Sequence, residues 1–138
     1  MPARGLFHFE VRRSLEQDGW IVTHDPYRVN WGGKDTYIDL GAERLLAAER
    51  GDERIAVEVK SFVGRSEMED LEQAVGQYRL YLSILRQEDP DRALYLAVPA
   101  SVLTEVFREP IGQLLIQDYG IRVFGFNPHE EVITEWIP

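Results

Sequence analysis

Cysteine is absent from the 138 residues, which excludes disulfides, thiolate zinc sites and cysteine nucleophiles in one step. Bases are scarce: fifteen Lys and Arg face 24 Asp and Glu, for a net charge of -9. That deficit disfavours loose adhesion to nucleic acid or anionic membrane, so any DNA contact has to be local, metal-assisted or shared with a partner. No hydrophobic run approaches membrane-spanning length. The opening "MPARGLFHFEVRR" alternates charge with apolar residues instead of offering a secretion signal its continuous apolar core, so a cytoplasmic protein is expected. The three histidines, His8, His24 and His129, have no H-x-H or H-x3-H spacing and point to no metal site. Lysine is also rare, present only as Lys34 and Lys60.

A composition of 44% hydrophobic and 28% charged residues is that of a folded globular chain, and its length suits one domain over residues 1–138. Leu6, Phe7, Val11 and Leu15 form a helical stripe within residues 4–18, stopped by Gly19, and "WIVTHD" then reads as a strand. "DPYRVNWGGKD" is a loop by its Pro26 and Gly32-Gly33. An extended segment over 36–48, a turn at Arg50-Gly51-Asp52 and the β-branched "RIAVEVKSF" make a hairpin, although "RLLAAER" is helical by propensity alone. Ser66 and Glu69 form a capping box ahead of an amphipathic helix through residue 89, and "RALYLAVP" is a buried strand parallel to its neighbour. A helical region over 100–119 broken near Pro110 and strands at 121–126 and 131–137 complete the pattern. The order is αβββαβ followed by αββ, a mixed α/β fold with an α+β type of sheet.

Alternation along a strand sends Glu58 and Lys60 to one face and Val57 and Val59 to the other. On "TYIDL", Tyr37 and Asp39 share a face, and a hairpin pairing brings Asp39 beside Glu58. Two converging carboxylates repel unless a cation sits between them, and magnesium is held by one or two carboxylates plus phosphate oxygens. A lysine two residues on would orient an attacking water or offset charge on a phosphate.

The Asp39, Glu58-x-Lys60 pattern on a hairpin between two helices resembles the PD-(D/E)xK nuclease superfamily, whose core is αβββαβ. Nearly the whole chain is similar to the XisH family of fdxN element excision controlling factors, through "PARGLFHFEVRRSLEQDGWIVTHDPYRV", "WGGKDTYIDLGAERLLAAER", "IAVEVKSF", "DLEQAVGQYRLY", "LYLAVP", "PIGQLL" and "WIP". The resemblance implies a restriction-endonuclease-like core with a C-terminal αββ extension. It also implies a role supporting site-specific excision of a DNA element in cyanobacteria, beside a recombinase and a small XisI-like companion. Carried over, the Mg2+ or Mn2+ ligands fall on Asp39 and Glu58, the catalytic lysine on Lys60, the helix glutamine on Gln73 or Gln77, and a first-helix acid on Glu10. Ile38 stands where that motif has proline. A homodimer would provide two sites for two strands.

Plainer explanations stand beside each feature. Glu58 and Lys60 suit the solvated face of an edge strand, Gln73 and Gln77 the polar face of a helix, and Glu10 a surface position. Tyr78 and Tyr81 are expected to pack, and Gly32-Gly33 to turn, with Trp31 and Lys34 near enough to a cleft to touch a nucleotide.

Overall fold

A computed structural model describes residues 6–28, 30–31, 34–35 and 45–137. Helix α1 (His8–Gln17) buries Val11 and Leu15, and strand β1 (Ile21–His24) follows it. The segment read as a loop carries a small correction: Asn30–Trp31 (β2) and Lys34–Asp35 (β3) pair antiparallel as a two-stranded ribbon. The extended segment is described from Leu45 onward as β4 (Leu45–Arg50), so strand prevails over helix for "LLAAER". It turns through Gly51 and Asp52 into β5 (Glu53–Val59), and Gly51 adopts φ +59, a conformation glycine enters without steric cost.

Helix α2 (Glu67–Glu88) begins as the capping box requires, with the Glu69 N–H donating to the Ser66 hydroxyl at 3.2 Å. It crosses over to β6 (Ala93–Pro99), which runs parallel to β5. The helical region divides into α3 (Ala100–Val102), a π-helical turn at Leu103–Phe107, and α4 (Pro110–Tyr119). Pro110 occupies the first turn of α4 and Gly120 closes it at φ +63. Strands β7 (Val123–Asn127) and β8 (Val132–Ile137) end the chain as an antiparallel pair.

The main sheet has six strands in the order β1-β4-β5-β6-β7-β8, parallel only at β5-β6 and β6-β7. Its faces carry separate cores. On one, Val11 and Leu15 of α1 pack on Leu46, Val57, Val59, Phe124 and Phe126. On the other, Leu71, Tyr78 and Leu85 of α2 pack with Leu94, Leu96, Val98 and Phe107. β5 is thus an interior strand covered on both faces, and its alternation decides which core each residue enters.

Candidate functional site

Glu58 is the penultimate residue of β5, level with Leu45 on β4 and Leu96 on β6. Ala56, two residues earlier, belongs to the core beneath α2, so Glu58 and Lys60 share that face while Val57 and Val59 enter the core beneath α1. Both charged residues are buried, Glu58 with 2% and Lys60 with 6% of its surface exposed. The solvated edge-strand explanation is therefore excluded. Burying a carboxylate and an ammonium costs several kcal/mol per ion unless other groups compensate, so the pair is not incidental decoration of the sheet.

Lys60 continues the ladder past β5, its N–H donating to the Ala97 carbonyl at 3.0 Å. Its Nζ donates to Gln73 Oε1 at 3.0 Å. Of the two candidate glutamines, Gln73 therefore meets the lysine, while Gln77, one turn along α2 and 8% exposed, makes no bond to it among the described residues. Hairpin register places Leu45, not Asp39, opposite Glu58. Asp39 itself lies outside the described residues, as does the Gly32-Gly33 turn. α1 carries Glu10 on the sheet face opposite Glu58 and Lys60, and among the described residues no group of three or more His, Asp or Glu could hold a metal.

Sequence reasoning missed how the chain leaves Lys60. Phe62 adopts φ +58, uncommon for a residue with a side chain, and its ring packs edge-on against Phe107 at 6.1 Å. Two residues on, the Gly64 N–H donates to Asp70 Oδ2 at 2.9 Å. A Cβ at Gly64 would lie 2.6 Å from the other oxygen of the same carboxylate. Asp70, buried in the first turn of α2, thereby ties the loop to the helix that presents Gln73. An acid near a helix start is the only sequence signal for this, and it is a common one. Beside the loop, at the C-terminal ends of β5, β6 and β7, lies a cleft of about 480 Å³ lined by Ser61, Phe62, Glu67, Ser101, Glu105 and His129. Crevices at this end of parallel strands are where open α/β sheets bind ligands.

Two other residues from the sequence reading have structural roles. The Tyr78 hydroxyl donates to the Leu94 carbonyl at 2.9 Å and accepts from the Arg122 N–H at 3.0 Å. Burial raises its pKa above the ordinary phenol value, opposed by the Arg122 backbone bond and charge and assisted by the negative charge of Glu58. His8, read without a role, is buried with Nε2 2.9 Å from Asp25 Oδ2, and Arg12 Nη1 reaches the same oxygen at 2.8 Å. This cluster fastens α1 to the segment after β1.

Fold and site define a mixed α/β protein whose central strand ends in a buried Glu-x-Lys pair, the lysine held by a helix glutamine. The XisH protein family model matches residues 1–134, and the chain belongs to the XisH family. It is similar to the crystal structure of an XisH family protein from Nostoc punctiforme, with 37% identity and TM-score 0.87 over 96% of this chain and 98% of that one. It is also similar to a fdxN element excision controlling factor protein from Anabaena variabilis, with 36% identity and TM-score 0.88 over 98% of this chain and 100% of that one. A search of curated proteins finds no match. Among the described residues no helix is long and apolar enough to cross a membrane.

Proposed function

We propose that this chain supports site-specific excision of a DNA element through a restriction-endonuclease-like, PD-(D/E)xK type of site built on Glu58 and Lys60. The observation that carries the reading is the burial of both charges on one face of β5, with Lys60 Nζ bound to Gln73. Glu58, with Asp39, would hold Mg2+ or Mn2+, which when bound polarises the scissile phosphate and its attacking water. The protein's own part is positional. Gln73 fixes the lysine ammonium, Asp70 and the 61–64 loop fix the strand end, and the neighbouring cleft offers space for a nucleic-acid strand. An ammonium held in that way can orient a water or offset charge on a phosphate oxygen.

Purified protein is incubated with supercoiled plasmid and with branched DNA, in magnesium, manganese or chelator, beside Lys60→Ala and Gln73→Ala. Metal-dependent nicking, abolished in the first variant and reduced by roughly tenfold or more in the second, is expected. Cleavage that survives both substitutions would defeat the assignment of roles.

The net charge of -9 favours a second reading, in which the chain is a non-catalytic scaffold that reaches DNA only within a complex with a XisI-like companion and a recombinase. Folded protein that never cleaves, yet gains DNA affinity when the companion is added, supports it. A homodimer in the cytoplasm is compatible with either reading.

A further inference from the structure

β6 begins at Ala93, but β7 joins it only at Val123, level with Leu96, so the first residues of β6 have no strand on that side. The Tyr78 hydroxyl bridges the gap, and outside it lies a cavity of about 280 Å³. Its wall is apolar where Leu82 and Leu85 line it, and Arg86, Arg92 and Arg122 border the rest.

The pairing of the arginines sets two of these residues apart. Arg12, Arg13, Arg50, Arg54, Arg92 and Arg108 each meet a carboxylate, and Arg79 donates to the Tyr119 carbonyl. Arg86 and Arg122, like Arg65 elsewhere, make no ion pair with an acid among the described residues, in a chain with nine more acids than bases. Both line the same cavity. Arg92 is 5% exposed and held fast, donating through Nε to Asp89 Oδ2 at 2.9 Å and through Nη1 to the Ile55 carbonyl at 3.0 Å.

We propose that this cavity binds a phosphate group, presented by inorganic phosphate or by a nucleotide. Guanidinium forks match phosphate oxygens, and a phosphate accepts hydrogen bonds from three directions where a carboxylate lies in one plane. Opposing it are Asp91 on the rim and the carbonyl ends of α2 and α4, while Asp89 is committed to Arg92 and to Arg54 at 2.6 Å. Arg92 is balanced by Asp89 and by Glu49 at 3.7 Å, so the uncompensated positive charge at the cavity is that of Arg86 and Arg122, and it makes binding salt-sensitive. The cavity sits on the order of 13 Å along β6 from the level of Lys60, at the opposite end of the strand, so it stands independently of the nuclease reading.

Calorimetric titration with inorganic phosphate and with a nucleoside monophosphate, at low ionic strength and against sodium chloride at matched ionic strength, tests this. The proteins compared are the wild type, the exposed-side-chain double variant Arg86→Gln/Arg122→Gln, and Lys60→Ala. Expected is saturable one-to-one binding, weakened at least tenfold in the double variant and unchanged in Lys60→Ala. A tighter nucleotide identifies a nucleotide as the source, and equal affinities identify the bare phosphate. Heats no larger than those of the chloride control, or equal affinity in the folded double variant, overturn the proposal.

Discussion

Glycine to alanine at two helical positions should act with opposite sign. Gly76 lies inside α2, and a Cβ added there meets nothing within 4 Å. Alanine removes backbone freedom from the unfolded chain and improves helix propensity, so Gly76→Ala should stabilise by about 0.5–1 kcal/mol. Gly112 is the buried residue on which α4 rests, and a Cβ there would lie 2.3 Å from the Val106 carbonyl oxygen and 2.4 Å from Phe107 Cα. Both obstacles are backbone, so the helix has to retreat by about 1 Å, which overpacking data value at roughly 1–3 kcal/mol. The propensity gain is smaller near a helix start, so the clash wins and Gly112→Ala should destabilise by about 1–2 kcal/mol. Urea unfolding followed by circular dichroism reads both as shifts of midpoint at constant slope. Equal stabilisation of the two variants would refute the close docking of α4 on the turn before it.

Ser66→Ala removes the hydroxyl that receives the Glu69 N–H and should cost about 1 kcal/mol in the same assay, with a drop in melting temperature of about 4 °C. For Tyr78 the native pKa lies above the unfolded one, so its contribution is complete below about pH 10 and is lost as pH rises through the native value. Tyr78→Phe should lower stability at neutral pH, by leaving the Leu94 carbonyl and Arg122 N–H without this partner, and should flatten the alkaline slope by up to about 1.4 kcal/mol per pH unit. An alkaline slope identical to that of the wild type would reject this account of Tyr78.

Much of the fold was legible because it rests on local periodicity. Ser66 and Glu69 announce α2, Pro110 and Gly120 bracket α4, and the alternation in "AVEVK" places Glu58 and Lys60 on one face. What the local pattern lacks is distance information. Burial of the two charges depends on β5 lying between β4 and β6, and the choice of Gln73 over Gln77 depends on how far Lys60 reaches across to α2. The two glutamines share a helix face, so sequence leaves them equivalent. Pairing of Glu58 with Leu45 follows from the two-residue turn at Gly51, a register that alternation along each strand does not supply. The arginine cavity was invisible for the same reason: its members come from α2, from the start of β6 and from the segment after α4.

The strand order also ranks the pairings by the length of chain each must close. β4-β5 and β7-β8 are hairpins whose partners are neighbours in sequence, whereas β6 has only parallel partners, and its pairing with β5 spans the whole stretch from Val59 to Ala93. Closing that longer loop costs about 2–3 kcal/mol more conformational entropy than closing a two-residue turn. β6 is therefore the keystone of the sheet: it joins the β4-β5 hairpin to the β7-β8 hairpin, and both of its pairings are non-local.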